Sequence, residues 1–262
     1  MISFVGAGPG AADLITVRGR DRLAGADVVV WASSLVPEAL LEHAPASAEI
    51  HDSAAMTLED VLAVYTAHPD ARIVRLHSGD PVIYGAIQEQ VDWCVANERN
   101  FEIVPGVSSL GAAAAALGRE LTIPTVAQSV VLTRLGGRTA ASMPERESVA
   151  AFAAHGTTMA VFLSAARPVE LQRELLADGS GYAAGTPAAV VVRASWPDEQ
   201  VVTTTVGRLA ADLDEIGATR TVLVLVGPAL RGKAERSHLY APQFAHMFRR
   251  RSRPESTVGR PA

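Results

Sequence analysis

The sequence contains a single cysteine, Cys94, among 262 residues, and this scarcity excludes several classes of protein. One cysteine forms no intramolecular disulfide and no cysteine-based metal cluster. No run of about 18 apolar residues escapes polar interruption, so no membrane-spanning helix is predicted. The first residues, MISFVGAGPG, have neither the basic nor the apolar segment of a signal peptide. We therefore expect a cytoplasmic protein with no membrane partner.

An excess of positive charge is also absent. The formal net charge is −5, so bulk charge does not favour nucleic acid as a partner. Apolar residues make up 48% of the chain and charged residues 19%, whereas disorder requires low hydrophobicity together with high net charge. The chain therefore has the material for a sizeable core, in one large domain or two small ones.

Short apolar runs alternate with helical patterns in the first half of the chain. Four of these runs have the length and β-branching of buried strands, namely Ile2–Val5, Val28–Trp31, Ile73–Leu76 and Phe101–Val104. Apolar residues recur at helical spacing in three stripes that begin at Leu58, Ile87 and Leu110, and Thr57 with Asp60 resembles a capping box. This alternation predicts an α/β fold with a mainly parallel sheet and helices on both faces.

The pattern changes at Arg119–Gln128, where we place a domain boundary. Closer-spaced strands follow at Val130–Thr133, Thr158–Leu163, Ala188–Val192, Val201–Thr205 and Thr221–Val226, with helices at Val169–Ala177 and Leu209–Ile216. We expect an N-terminal domain over 1–120, a mixed-sheet α/β domain over 121–231 and a tail over 232–262. Residues Gly136–Glu147 are expected to form a mobile loop, and the chain from Arg249 onward to be disordered.

A glycine-rich segment, Gly6–Gly10 (GAGPG), directly follows the first predicted strand. Glycines at such a turn let backbone approach a ligand, and exposed N–H groups can hold an anion or an adenosine moiety. Read with Ala11, the segment imitates a dinucleotide fingerprint, but that motif needs an acid about 20 residues later. The sequence there is VVVWASS, without an acid, so a flavin or nicotinamide site is disfavoured. A tight turn without a ligand is the remaining alternative.

Two more glycine-bearing segments follow the third and fourth predicted strands. They are Ser78–Pro81 (SGDP) and Pro105–Ser109 (PGVSS). Because ligands of open α/β sheets bind beyond the carboxyl ends of the strands, the three segments are expected to converge on one crevice. Each has a simpler interpretation, since SGDP is also a turn sequence and a serine of PGVSS is also a helix cap.

Motifs for other chemistries are missing. The seven histidines show neither H-x-x-x-H nor H-x-H spacing, so no metal is expected. The G-x-S-x-G nucleophile elbow and the phosphate-binding P-loop are absent as well. The sequence identifies no catalytic residue and no acid–base pair, which favours an enzyme that works by positioning two reactive substrates.

GAGPG, SGDPVIYGA and PGVSS, in this order and at these spacings, resemble the tetrapyrrole methylases that use S-adenosylmethionine. Two further stretches, RLHSGDPVIYGAIQEQ and ERSHLYAPQFAHMFR, narrow the resemblance within that family. It implies two α/β domains with the active site between them, a homodimer, S-adenosylmethionine as methyl donor and a tetrapyrrole as acceptor. Many relatives have an acid where Ala11 stands, so any role of that acid is in doubt here.

The resemblance also implies site residues. Donor contacts carried over by motif are Pro9, Ser78, Gly79, Asp80, Ile83, Ser108, Ser109, Leu163 and Ala194. The acceptor carries many carboxylates, and the arginines on or near loops that suit them are Arg18, Arg20, Arg119, Arg134 and Arg138. Each arginine is equally explained as a surface residue. The rival functions are a flavin or nicotinamide oxidoreductase and a non-catalytic nucleotide-sensing module.

Overall fold

The computed structural model of the protein describes residues 1–136, 141, 143–232, 237, 239, 241 and 244–249, and within them the chain forms ten strands and seven α-helices. Of the predicted mobile loop, Gly136–Glu147, residues 137–140 and 142 lie outside the described residues, and Glu145–Glu147 form a short 3-10 helix. Of the end predicted to be disordered from Arg249 onward, only Arg249 is described. Both expectations stay predictions.

The first half of the chain builds a five-stranded, entirely parallel sheet of order β3-β2-β4-β1-β5. Its strands are β1 (Ile2–Gly6), β2 (Val28–Trp31), β3 (Glu49–Asp52), β4 (Ile73–His77) and β5 (Phe101–Val104). The accompanying helices are α1 (Val17–Ala24), α2 (Leu58–Ala67), α3 (Gln88–Ala96) and α4 (Ser109–Ala116). The parallel sheet predicted from the strand–helix alternation is confirmed.

Helices cover both faces of this sheet, as predicted. Leu23 of α1 packs with Val5 and Val29 on one face. Tyr65 of α2 and Cys94 of α3 pack on the other face, so the single cysteine is a buried apolar side chain. The Thr57–Asp60 capping box at the start of α2 is also present.

The second half of the chain builds a mixed sheet of order β6-β7-β10-β8-β9, in which only the β6–β7 pair is parallel. Its strands are β6 (Val130–Arg134), β7 (Thr158–Phe162), β8 (Pro187–Val192), β9 (Gln200–Thr205) and β10 (Val222–Val226). The helices α5 (Val149–Ala153), α6 (Pro168–Leu175) and α7 (Leu209–Ile216) bury their apolar side chains against it. The mixed sheet expected here is confirmed.

Helix α4 joins the two halves. Ala112 and Ala113 are buried against Ala160, Ala189 and other residues of the second sheet. This is the face opposite to the one that α5, α6 and α7 cover. The small alanine side chains allow the helix to lie close to the strands. Through α4, the first half of the chain makes an apolar contact with the second sheet. The domain limits at residues 120 and 231 stay predictions.

Three elements are missing from the sequence-based assignment, namely β3, α1 and the five-residue helix α5, which follows the predicted loop. Strand β3 was not predicted, because three of its four residues are exposed and it lies at the sheet edge, where no apolar alternation is required. Helix α1 was not predicted either, since among its eight residues only Gly19 and Leu23 are buried. Among the helices of the described residues, none combines the length and apolar character needed to span a bilayer.

Candidate active site

The three glycine-bearing segments meet at the carboxyl ends of β1, β4 and β5. Gly8 and Gly79 form an isolated antiparallel bridge, with N–H···O distances of 3.3 Å and 2.8 Å. The Ala7 amide donates to the His77 carbonyl oxygen at 2.8 Å. The convergence predicted from the strand order is thus present, and hydrogen bonds between backbones hold it.

Glycine is required where these segments touch. A Cβ atom on Gly106 would lie 2.1 Å from the Gly79 carbonyl oxygen, and one on Gly6 would lie 2.4 Å from the Gly106 Cα atom. Gly79 also has a positive φ of 66°, which favours glycine. The glycines of Gly6–Gly10 were expected to let backbone approach a ligand, whereas Gly6, Gly79 and Gly106 are needed for the loops to approach one another.

The first loop also contacts the segment that follows β8 in the second sheet. The indole Nε1 of Trp196 donates to the Pro9 carbonyl oxygen at 3.0 Å, and the Ala11 amide donates to Ser195 Oγ at 2.9 Å. The Arg193 guanidinium lies 4.2 Å from the centre of the Trp196 ring and so fixes its orientation. These contacts hold the two halves of the chain together beside the loops.

A cavity of about 390 Å³ lies between the converging loops and the second sheet. All nine residues that the resemblance assigned to the methyl donor line it, namely Pro9, Ser78, Gly79, Asp80, Ile83, Ser108, Ser109, Leu163 and Ala194. Further lining residues that the sequence analysis did not single out are Leu35, Tyr84, Phe162, Ser164, Ala165, Val191 and 219–223. The lining is mainly apolar, with a few hydroxyl groups and one carboxylate, as small-molecule sites commonly are.

The polar groups of the lining are held by local turns. Asp80 Oδ1 accepts a hydrogen bond from the Val82 amide at 3.1 Å, which orients the carboxylate at the start of its loop. Ser108 caps α4, because its Oγ accepts from the Leu110 amide at 3.3 Å. The predicted helix cap is therefore confirmed for Ser108, while Ser109 is the first residue of the helix itself.

An aromatic pair forms one wall of the cavity. The Tyr84 and Phe162 rings lie 5.1 Å apart, and Phe162 pairs in register with Arg134 on the neighbouring strand β6. Burial raises the pKa of the Tyr84 phenol, while the charge of Arg134 acts in the opposite direction. Tyr84 and Leu163 both have positive φ angles, 56° and 52°, so the backbone is strained at two lining positions.

His77 is buried and Arg75 is half-buried on β4, behind the loop that carries Asp80. Burial, together with the smaller effect of the nearby Arg75 charge, lowers the pKa of His77 to about 3, so the imidazole is neutral near pH 7. Arg75 Nη1 donates to Ser53 Oγ at 2.8 Å. Both side chains belong to the strand that leads into the Asp80 loop. Neither is part of the cavity lining.

The predicted acceptor arginines lie in different places. Arg18 and Arg20 are exposed on α1, where Arg20 pairs with Asp21 at 3.0 Å, and neither lines the cavity. Arg119 lines a separate hollow and donates to the Gly232 carbonyl oxygen at 3.3 Å. Arg134 lies beside the aromatic wall, and Arg138 lies outside the described residues.

Arg220 is a lining residue that sequence analysis missed. It directly precedes the last strand of the second sheet, at a distance in sequence from every glycine motif. The only available signal was a basic residue at the start of a predicted strand, and such a residue is common. The approach of the second sheet to the loops is what brings Arg220 to the site.

A sequence model of the tetrapyrrole (corrin/porphyrin) methylases matches residues 1–210 of the chain, and the chain belongs to this family. Within it, the chain is 46% identical to the precorrin-4 C(11)-methyltransferase of a Sinorhizobium species over 253 residues, which covers 95% of this chain and 98% of that protein.

Solved structures agree with the family. The crystal structure of a cobalt-precorrin-4 methyltransferase superposes with a TM-score of 0.83 at 41% identity, covering 88% of this chain and 96% of that one. A uroporphyrin-III C-methyltransferase of Thermus thermophilus, solved with S-adenosylhomocysteine, superposes with a TM-score of 0.70 at 28% identity, covering 88% and 93% of the two chains. The predicted two-sheet tetrapyrrole methylase fold is thereby confirmed.

Proposed function

We propose that the protein transfers a methyl group from S-adenosylmethionine to carbon 11 of precorrin-4, in either its metal-free or its cobalt-bearing form. The observation that carries this proposal is the cavity, on which all nine residues of the three loops and the second sheet assigned to the donor converge. The names of the relatives, which include both precorrin-4 and cobalt-precorrin-4 methyltransferases, support the choice of acceptor.

The cavity suits S-adenosylmethionine in size and charge. Its volume of about 390 Å³ lies in the range of small-molecule sites. Asp80 is the only acid and Arg220 the only arginine among the described lining residues, and no lysine is among them, so the donor's sulfonium and ammonium groups meet little positive charge. Apolar side chains such as Ile83, Leu163 and Val191 offer packing surface to the adenine, and the carboxylate and hydroxyl groups suit the ribose and amino groups.

The chemistry then rests on positioning. When bound, S-adenosylmethionine supplies an electrophilic methyl group on sulfur. The protein has to hold the acceptor carbon in line with that methyl group, on the side opposite the sulfur, and to exclude water from the gap. Fixing two substrates in such a geometry supplies an effective molarity of about 10⁵ to 10⁸ M. This agrees with a described lining that contains neither a histidine nor a cysteine.

On the acceptor side, we assign Arg134 and Arg220 to the carboxylates of the tetrapyrrole, and Tyr84 and Phe162 to its ring face. Arg134 and the aromatic pair lie on one side of the cavity, and Arg220 lies in the lining itself. Guanidinium groups bind carboxylates through paired N–H donors. Fixed positive charge is needed here, because the net charge of −5 repels a polyanionic acceptor.

A direct test uses radiolabelled S-adenosylmethionine with precorrin-4 and, in parallel, with cobalt-precorrin-4. We expect label in one or both acceptors, and spectroscopic mapping of the product should place the new methyl group on carbon 11. Methylation at another carbon would keep the family assignment and overturn the proposed specificity. No product with any tetrapyrrole would favour the rival interpretation as a nucleotide-sensing module.

Calorimetry separates the proposal from the oxidoreductase alternative. We expect S-adenosylhomocysteine to bind, and NAD and FAD not to bind. The acid that a dinucleotide ribose requires is absent after β2, where the chain continues as Ala32 and Ser33. Preferential binding of NAD or FAD, or a protein that purifies with a flavin colour, would end the methylase proposal.

The assembly and location remain part of the proposal. We infer a homodimer in the cytoplasm, as the family resemblance implies. Light scattering on the purified full chain should give a mass near twice the 27.5 kDa of one chain. A mass of one chain at micromolar concentration would contradict the dimer without affecting the proposed reaction.

A further inference from the structure

Three side chains with metal-binding atoms lie together at the edge of the first sheet, apart from the cavity. They are Glu49 and His51 of β3 and His68 at the end of α2, and their ligand atoms all lie within 4.8 Å of one another. We propose that these three residues bind a divalent transition-metal ion, with Zn²⁺ the best match to the ligand set.

The distances are close to those of a coordinated ion. His51 Nε2 lies 2.8 Å from Glu49 Oε1, and His68 Nε2 lies 3.6 Å from Glu49 Oε2. Zinc bonds to nitrogen and oxygen of about 2.0–2.2 Å at tetrahedral angles require ligand atoms about 3.4 Å apart. The two observed distances lie on either side of that value, and all the ligand atoms lie within 4.8 Å of one another, so the cluster has roughly the size of a zinc site.

The scaffold holds the three side chains on one side. Glu49 and His51 are two positions apart on a strand and so point to the same face. Strand β3 pairs along its whole length with β2, which fixes its register. The Arg99 guanidinium donates to the backbone carbonyl oxygens of His68 and Ala71, which holds the turn that carries the His68 ring. The backbone of all three ligand residues is therefore held in place by hydrogen bonds.

One ring nitrogen of His51 lacks a hydrogen-bond partner among the described residues. His51 Nε2 is shielded from solvent and makes no hydrogen bond with the described residues. His51 Nε2 approaches Glu49 Oε1 to 2.8 Å, but the geometry of this contact is not that of a hydrogen bond. Buried polar atoms normally have a partner, and a metal ion beside the carboxylate would provide one.

The donor set selects the class of ion. Two imidazoles and one carboxylate suit Zn²⁺ and neighbouring transition metals, whereas Mg²⁺ and Ca²⁺ require oxygen ligands. Water would complete the coordination. A bound ion would tie an exposed edge strand to the end of α2, so its role would be to stabilise the edge and keep other strands from pairing there.

Histidine spacing did not reveal this site, because its ligands come from two elements. Glu49 and His51 lie on a strand, and His68 follows the next helix, 17 residues after His51. The expectation that no metal binds was based on spacing along the chain alone.

Zinc calorimetry on the untagged full-length protein tests the proposal. We expect one site in the wild type, and an affinity lowered more than about tenfold in each of His51→Ala and His68→Ala. His43→Ala and His155→Ala are matched controls, because both histidines are exposed and neither is part of the cluster. The controls should bind Zn²⁺ as the wild type does.

Thermal unfolding with and without Zn²⁺ provides a second measurement. The ion should raise the Tm of the wild type and of both controls, and should have little effect on Glu49→Gln, which keeps the side-chain shape and removes the charge. Glu49→Gln also serves if a histidine variant does not fold. Absence of Zn²⁺ binding by the wild type, or wild-type affinity in His51→Ala or His68→Ala, would overturn the proposal.

Discussion

Asp80 has two roles that separate variants can distinguish. Its Oδ1 atom accepts from the Val82 amide, and its carboxylate lines the cavity. Loss of a hydrogen bond to a charged group costs about 1.5–3 kcal/mol, so we expect Asp80→Ala to weaken S-adenosylhomocysteine binding roughly ten- to hundredfold. Asp80→Asn keeps the turn and should lose less. Calorimetry measures both, and wild-type affinity in a folded Asp80→Ala protein would restrict Asp80 to the turn.

Arg134 lies beside the aromatic wall and is the best placed of the predicted acceptor arginines. We expect Arg134→Ala to raise the KM for the tetrapyrrole up to about fivefold, since a partly exposed charge pair contributes about 0.2–1 kcal/mol. The KM for the methyl donor should stay nearly constant, and the effect should shrink at high salt. Arg173→Ala, on the exposed side of α6, is the control. If Arg134→Ala and Arg173→Ala have the same KM for the tetrapyrrole at low salt, carboxylate binding would be assigned to Arg220 instead.

Neutral His77 makes the stability of the fold sensitive to acid. Its pKa is about 3 in the folded protein against an ordinary 6.5, so between these values the unfolded chain binds a proton that the folded chain does not. Stability is therefore lost as the pH falls below 6.5, by about 2 kcal/mol at pH 5 from this group. Between pH 7 and pH 5, the unfolding free energy of His77→Gln, measured in urea, should fall by about 2 kcal/mol less than that of the wild type. An equal fall in the wild type and the variant would show that His77 is protonated in the fold at pH 5.

The packing of three loops through glycine predicts a contrast between two neighbouring substitutions. In Gly106→Ala the new Cβ atom would lie 2.1 Å from the Gly79 carbonyl oxygen, so the loops have to move apart. We expect a loss of about 1–3 kcal/mol in stability together with weaker donor binding. Gly111→Ala, in α4 with nothing within 4 Å of the new atom, should stabilise by up to about 1 kcal/mol. Urea unfolding and calorimetry check the pair, and similar stabilities would mean that the loops accommodate a methyl group.

Elements with a buried apolar pattern were the ones that sequence predicted well. β2 and β5 have the predicted limits, and so does α7. β3 was missed because three of its four residues are exposed, so burial imposes no apolar pattern on this edge strand. The same physical reason explains the missed α1, in which a glycine packs against the sheet where a large apolar side chain would have given a signal.

At the scale of the whole molecule, strand order predicted which loops converge, whereas the residues that face them, Leu163 and Ala194, were predicted only from the family resemblance. Parallel strands bring their carboxyl ends to one edge, so Asp80 and Ser108 could be grouped from strand order alone. Phe162 and Arg220 reach the cavity only through the packing of α4 on the second sheet and the contacts of Trp196 with the first loop, whereas Tyr84 lies on the same loop as Asp80. The spacing of apolar residues along the chain does not predict this contact between the two halves.

The position of β1 in its sheet has a consequence for biosynthesis. The strand lies between β4 and β5, so Ile2 pairs with Ile73 on one side and with Phe101 on the other. At about 5–20 residues per second, a ribosome needs roughly 5–20 s to make the chain through β5. During that interval the apolar first strand has no complete set of partners, whereas the β8–β9 hairpin pairs across a short connection soon after it is made. The first strand to leave the ribosome is thus among the last of its own sheet to gain both neighbours, and until then its apolar edges are open to pairing with other chains.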